Sequence, residues 1–317
     1  MRLNECNLVI CDAEFQYANQ LANNIRRREE LAIKVFVCTD VDYVLLLMRE
    51  KPIHILVMDE KCFGKETMEL IANQIFILGK DVKQTNNGER VIQKYQNADE
   101  IIRIIFETYT EKTKENLVRI TRKEFPKILA VYSPIHRIGK TTFAIALGEE
   151  CAKVRKTLYI NMEEYAGFLE SFGAGMNLGD LLYYAKQGNG NLGIRLQSAI
   201  QKKRELDFLL PIPIAQDLRE VSFAEWKFLL EQIVENSSYE RIILDIGDSV
   251  RDLFQVLELC DRIYMPIHSD EISERKMQRY EQNVACLDLE KLKRITSRFV
   301  MPENVEEYAK LRAKEEC

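Results

Sequence analysis

Residues 127–142 read Lys-Ile-Leu-Ala-Val-Tyr-Ser-Pro-Ile-His-Arg-Ile-Gly-Lys-Thr-Thr: an apolar strand, a short loop and the opening of a helix. That order constrains the fold strongly, because a phosphate-binding loop needs all three parts. A strand over 128–132 fixes the loop at the carboxyl edge of a sheet. Backbone N–H groups at the start of the next helix then point at anionic oxygens, where the helix dipole also favours negative charge. In this reading His136, Arg137, Ile138, Gly139, Lys140, Thr141 and Thr142 form the binding loop. Lys140 places a point charge between terminal phosphates, and the Thr141 hydroxyl ligates Mg²⁺. The usual first glycine of such a loop is Pro134 here. The helix is expected to begin near Lys140 and run through 143–154.

The rest of the chain alternates strand and helix. An apolar run at 8–11 ends at Asp12 and precedes a helical stretch at 15–28. Strand 32–38, helix 41–49 and strand 53–58, ending at Asp59, follow. Short strands at 75–78 and 90–92 flank a polar turn, 83–89, that contains Asn86-Asn87-Gly88. A long amphipathic helix over 98–115 sets Ile101, Ile102, Ile105, Phe106 and Tyr109 on one face. The polar run 110–124, with Pro126 after it, is the natural joint. Beyond the loop motif come strand 157–160, then Asn161-Met162-Glu163, and a Gly/Asn-rich loop at 186–193. Strand 206–210, helix 223–236 and strand 241–244, ending at Asp245, come next. Strand 263–266, helix 271–287, strand 295–301 and an acidic helix from 303 complete the chain. This alternation predicts an α/β protein with mostly parallel sheets covered on both faces. The expected organisation is 1–117, a linker at 118–126, and 127–317.

A length of 317 residues accommodates two cores, and 46% hydrophobic with 30% charged residues is the balance of a globular protein. The net charge of −5 argues against a dedicated nucleic-acid binder. Local basic groups, Arg26-Arg27-Arg28, Lys202-Lys203-Arg204 and Lys291, Lys293, Arg294 with Arg298, read as solvated helix faces. Eight cysteines form no Cys-x-x-Cys pair and are accompanied by three histidines. Cys11, Cys38 and Cys260 lie in or beside apolar runs, which favours buried thiols over bridges or zinc. No signal-peptide pattern and no membrane-spanning run are visible, so a cytoplasmic location is expected.

Three candidate positions fall at the ends of successive strands: the loop 133–142, Asn161-x-Glu163, and Asp245-Ile246-Gly247. Ligands of open α/β sheets bind outside the carboxyl ends of strands, so these positions converge. Asp245 is expected to hold the hydration shell of Mg²⁺, and Gly247 to let the backbone approach a γ-phosphate. Glu163 is placed to orient an attacking water and, with Lys140, makes the candidate catalytic pair.

On Gly139-Lys140-Thr141-Thr142, Asn161-Met162-Glu163 and Ile242-Ile243-Leu244-Asp245-Ile246-Gly247, the segment 128–301 resembles the MinD/ParA class of deviant P-loop ATPases. The resemblance implies binding of ATP with Mg²⁺, a face-to-face homodimer around two nucleotides, and a switch of partners on hydrolysis. Asn161 and Glu163 stand where that class usually has two aspartates. Its signature lysine, which reaches across the dimer, falls on Ile135, and the two glycines after it fall on His136 and Arg137. Arg137 is the available substitute cation, since a guanidinium bridges phosphate oxygens. One helix is expected between Pro266 and Ile295, with Met301 and Pro302 as a wall on the base side.

The amino-terminal part resembles a response-regulator receiver of the flavodoxin-like, doubly wound kind. Asp12, Asp59 and Lys94 match its acidic, phosphoacceptor and lysine positions. Ala13 follows Asp12 where a second acid is needed, and Gly79 occupies the hydroxyl position, so a docking or dimerising pseudo-receiver is expected rather than a phosphorylated Asp59. A receiver-like domain before a MinD/ParA-like domain resembles the TadZ/CpaE group of Flp-type (type IVb) pilus localisation and assembly proteins. That resemblance implies a weakly hydrolysing ATPase recruited to a cell pole or the inner membrane face through other components of a secretion assembly. The alternatives are a non-catalytic scaffold and a DNA-partition ATPase, the latter disfavoured by net acidity. The tail over 305–317 carries both charge signs without a wide apolar face, which disfavours direct membrane binding.

Overall fold

Runs such as Leu-Val-Ile-Cys and Ile-Ile-Leu are apolar at consecutive positions, the signature of strands covered on both faces. In the computed structural model they form two mostly parallel sheets. The described residues are 6–28, 30–63, 70–80, 89–113, 117–167, 175–187 and 192–316. The chain divides into two compact units, one of residues 1–120 with 189–198, the other of 121–188 with 199–317.

The first unit contains β1 (Cys6–Cys11), α1 (Phe15–Arg26), β2 (Ile33–Cys38), α2 (Val41–Glu50), β3 (Ile53–Asp59), β4 (Ala72–Gly79), β5 (Arg90–Gln93) and α3 (Ala98–Thr113). Its five parallel strands run in the order β2-β1-β3-β4-β5. α1 and α3 bury Leu21, Ile25, Ile101, Ile105 and Phe106 against one face of the sheet. α2 covers the other, where Val44 packs with Leu56 and Met58. Asp40 fixes the start of α2 by accepting from the Tyr43 N–H at 2.9 Å. The turn expected at 83–89 lies, except for Glu89, outside the described residues.

The second unit begins with β6 (Lys127–Val131), α4 (Lys140–Ala152), β7 (Thr157–Met162) and α5 (Leu178–Gln187). α6 (Leu192–Ala199) follows in sequence, but its Ile194 belongs to the core of the first unit. Then come β8 (Ile200–Lys203), β9 (Leu206–Leu209), α7 (Ala215–Glu220), α8 (Phe223–Asn236), β10 (Arg241–Ile246), α9 (Leu253–Glu258), β11 (Arg262–Ile267), α10 (Glu271–Cys286), α11 (Glu290–Ile295), β12 (Thr296–Val300) and α12 (Val305–Glu316). The seven strands run β12-β11-β6-β10-β7-β9-β8, all parallel except the β8–β9 pair. β7 and β10 are buried at every position. α12 lies on α4, where Phe143, Phe299 and Tyr308 stack with centroids 4.8–5.9 Å apart.

Several expectations change. β7 and β10 each continue through the polar residue thought to end them, so Asn161 and Asp245 are strand residues rather than loop residues. The register sets these two opposite each other. Lys202 and Lys203 lie on the edge strand β8 and Arg204 in the turn after it, not on a helix; charge on an edge strand discourages further pairing. Arg298 likewise lies on a strand, β12. Two helices, not one, separate Pro266 from Ile295, because the chain breaks at Asp288 with a left-handed φ of 55°. Within 118–126, Val118 bridges to Leu31 of the first unit, and the Thr121 and Lys123 N–H groups donate to Ser238 and Glu240 of the second. Cys6, Cys11, Cys38, Cys151 and Cys260 are buried. No helix among the described residues is long and apolar enough to cross a membrane.

Candidate functional site

β6 delivers the chain to the carboxyl edge of the second sheet, between β10 and β11. The loop then turns through residues 132–139 and enters α4 at Lys140. Ser133 is buried, and its hydroxyl accepts the Ile135 N–H at 3.1 Å. Ile135 and Ile138 turn inward and are buried. Two loop residues adopt left-handed backbone, Arg137 at φ 57° and Gly139 at φ 81°. Gly139 needs that freedom; a Cβ there would also meet the Met301 side chain at 3.4 Å. Arg137 takes the same conformation without it, at a local cost of about 1 kcal/mol.

Lys140 opens α4 from a nearly buried position. Its ammonium contacts Glu163 Oε1 at 3.0 Å and the Ile246 carbonyl at 3.3 Å, and lies 5.7 Å from the Tyr132 ring centre. Asp245 is fully buried on the neighbouring strand. Its Oδ2 accepts from the Tyr159 hydroxyl at 2.9 Å and from Asn161 Nδ2 at 3.3 Å. Its Oδ1 has no partner at hydrogen-bond geometry among the described residues. Burial pushes the Asp245 carboxyl up to about 6, with the Thr141 hydroxyl opposing and the Glu163 charge adding to the rise. The Tyr159 hydroxyl is likewise pushed up by burial and by Asp245 beside it. Asn161 Oδ1 accepts the Glu163 N–H at 3.1 Å and so sets the turn that brings Glu163 to Lys140. Gly247 is required by close approach, since a Cβ would stand 3.0 Å from Glu163 Oε2 and 3.2 Å from the Met162 carbonyl.

Lys140, Glu163, Asn161, Asp245 and Gly247 therefore meet at one sheet edge, with Thr141 near enough to act on Asp245. Thr142, Arg137 and His136 are exposed on the loop or first helical turn, and His136 Nε2 lies 3.1 Å from Asp248 Oδ2. Tyr159 and Asp248 were missed from sequence. The signal for Tyr159 is its spacing of two before Asn161, which puts both on one face of the strand.

The residues fit Mg²⁺ in one respect that is independent of any motif. A buried carboxylate with an unpaired oxygen, next to a threonine hydroxyl, is the donor set a hard divalent cation takes.

The first unit has its own charged cluster. Lys94 is buried, and its ammonium contacts Asp12 Oδ2 at 2.9 Å, Glu14 Oε1 at 3.1 Å and Asp59 Oδ2 more closely still. Burial opposes that charge, but hydrogen bonds to Asp12, Asp59 and Glu14 raise the ammonium above its ordinary range. Asp59 Oδ1 accepts the Lys61 N–H at 2.8 Å, so both of its oxygens are engaged. Glu14 was missed because the residue next to Asp12 is alanine. Asp12 Oδ1 accepts the Glu14 N–H at 2.8 Å, folding the chain so that the second residue supplies the acid. Hydrogen bonds from Tyr95 and Lys94 hold the Glu14 carboxyl below the usual range.

No family model matches the chain, and no curated protein matches its sequence. Solved structures that resemble it include a plasmid partition protein from Borrelia burgdorferi, 19% identical over 58% of this chain and 83% of that one, with a TM-score of 0.44. A ParA family ATPase from Chlorobium tepidum TLS is 15% identical over 58% and 80%, with a TM-score of 0.46. The MinC:MinD cell division complex of Aquifex aeolicus gives 19% over 55% and 68%, with a TM-score of 0.42.

Proposed function

We propose that the second unit is a MinD/ParA-like nucleotide switch that binds ATP with Mg²⁺ and dimerises around it. The observation that carries this reading is the meeting of the Lys140 ammonium, the Asp245 carboxylate and Glu163 at the mouth of a strand-loop-helix turn. Lys140 and the amides of residues 138–142 would grip the phosphates. Thr141 and Asp245 would hold Mg²⁺, which supplies charge neutralisation at the β- and γ-oxygens. Glu163 is the residue placed to orient water, and its carboxylate also contacts the Lys140 ammonium at 3.0 Å. A phosphate on Lys140 would compete with that carboxylate.

The strand order of the first unit and its Asp12, Glu14, Asp59 and Lys94 cluster support a flavodoxin-like, receiver-like module with an internal cation. With both Asp59 oxygens engaged, this module docks or dimerises rather than receiving a phosphoryl group. A receiver-like unit ahead of the switch supports a localisation or assembly role of the TadZ/CpaE kind, with a homodimer and components of a Flp-type pilus apparatus as partners in the cytoplasm. We assign the domains as 1–117, 118–126 and 127–317 on this reading.

The test is sedimentation velocity of the full chain. ATP with Mg²⁺ is expected to favour a dimer, ADP is not, and Lys140→Ala is expected to abolish the shift. Identical sedimentation in all conditions would sink the switch. A second reading, a scaffold without nucleotide, is favoured by buried Ile135, which places no cation where the class has its cross-dimer lysine. Titration calorimetry separates the two, since the scaffold gives no binding heat at millimolar Mg-ATP.

Glu163→Gln is expected to tighten Mg-ATP about tenfold, because it removes the carboxylate that competes for Lys140. The same change is expected to lower phosphate release. Unchanged affinity by calorimetry would mean that the Lys140–Glu163 pair does not oppose binding.

A further inference from the structure

Tyr159 and Asn161 of β7, Glu163 just after it and Asp245 of β10 form one chain of hydrogen bonds whose direction is fixed by chemistry. It starts at the Glu163 main-chain N–H, which can only donate and meets Asn161 Oδ1 at 3.1 Å. That bond sets the orientation of the Asn161 amide, so its NH₂ faces the other way. There Nδ2 donates to the Tyr159 hydroxyl oxygen at 3.0 Å and to Asp245 Oδ2 at 3.3 Å. The Tyr159 oxygen accepts from Asn161, and its one hydrogen goes to Asp245 Oδ2 at 2.9 Å. Reversing any member would set two donors or two acceptors face to face.

Strand register builds this arrangement. β7 and β10 pair Tyr159 with Ile243 and Asn161 with Asp245. Tyr159 and Asn161, two residues apart, share one face of β7. Tyr159, Asn161 and Asp245 are each at most 1% exposed, so bulk water does not replace a lost partner.

The two oxygens of Asp245 therefore differ. Oδ2 takes both donors, from Tyr159 and Asn161, whereas Oδ1 has no partner at hydrogen-bond geometry among the described residues. A carboxylate gripped by one oxygen cannot rotate without giving up both donors. Phenylalanine at 159 would keep the ring; what the tyrosine oxygen adds is the grip on Asp245.

We infer that Tyr159 is a positioning residue for the divalent cation: its hydroxyl, oriented by Asn161, holds Asp245 by Oδ2 and leaves Oδ1 to the metal. Tyr159 acts through Asp245 and not by touching the cation or the nucleotide. The inference rests on the nucleotide-switch reading, because that reading brings the cation to Asp245.

The test is titration calorimetry of ATP into the full chain, once with Mg²⁺ and once with EDTA, for wild type and Tyr159→Phe. The quantity read is the gain in affinity that Mg²⁺ confers. Removing a group that orients a metal-ligating side chain costs about 10–100-fold in metal affinity, so the gain should fall about tenfold in Tyr159→Phe. Affinity in EDTA should match wild type, which also shows that the variant is folded. A merely structural role would weaken both titrations alike, and that result would overturn the assignment. So would a gain equal to that of wild type. A wild type that binds ATP no better with Mg²⁺ than with EDTA would overturn the switch reading itself, and this inference with it.

Discussion

Lys94→Met is expected to destabilise the first unit by about 3–5 kcal/mol at neutral pH, the penalty for leaving buried carboxylates without their counter-charge. Asp12 and Asp59 are each at most 2% exposed, and the Lys94 ammonium is the cation that contacts both. Methionine keeps most of the side-chain length, so the effect isolates the charge. Chemical denaturation followed by Tyr and Trp emission would mix the units, because the single Trp226 belongs to the second. Amide hydrogen exchange resolves them, and the loss should be confined to β1, β3 and β5. The defect should shrink in acid, where a carboxyl can be buried uncharged. Millimolar Mg²⁺ should also reduce it, because the nearest oxygens of Asp12, Glu14 and Asp59 lie within 4.8 Å of one another. A variant as stable as wild type would show that Lys94 is not what holds these acids in place.

Asp245→Asn should have opposite effects in the two nucleotide states. In the folded chain burial pushes the Asp245 carboxyl up to about 6, whereas the unfolded chain ionises it near 4. Between those values the native state holds a proton that the unfolded state has released. Stability therefore falls as pH rises through the window, and the cost is fully present above pH 6. Asparagine cannot ionise, and its carbonyl can still accept from Tyr159 and Asn161. Without nucleotide at pH 7.5 the variant should be more stable by about 2 kcal/mol, roughly 4–8 °C in Tm for the second unit. The gain should vanish at pH 4. With Mg-ATP, wild type should be stabilised and the variant should not, having lost the anionic ligand for the cation. Scanning calorimetry across pH, with and without Mg-ATP, reads both. A variant less stable than wild type at pH 7.5 without nucleotide would refute the claim that this carboxylate is held at a cost.

Much of the architecture was readable from residue order. The expected helix 223–236 agrees with α8, whose start the structure fixes by a reciprocal capping box of Ser222 and Glu225. The largely apolar runs at 53–58 and 241–244 located central strands because a strand covered on both faces is apolar at consecutive positions. Strand ends differ from the sequence expectation where a polar residue reads as a stop. Asn161 and Asp245 continue their strands with the Asn161 amide donating to Asp245 across the sheet, a pairing decided by register and invisible along one chain. The edge strand β8 was missed because Ile-Gln-Lys-Lys reads as a solvated helix face, and edge strands carry just that composition. α7, α9 and α11 have six residues each, too few for helical periodicity to register. At the site, Lys140 and Asp245 were legible as motif residues, whereas the grip of Glu163 on Lys140 depends on how β7 turns at Asn161.

The backward kink at Arg137 has a thermodynamic consequence. A polar chain would ordinarily relax out of that conformation, so the anchors at either end, buried Ser133 and the first turn of α4, dictate the path regardless of residue preference. The work of shaping the loop is done once, when the chain folds. For an anion bound at this loop, no ordering entropy of the loop would then be subtracted from the binding free energy.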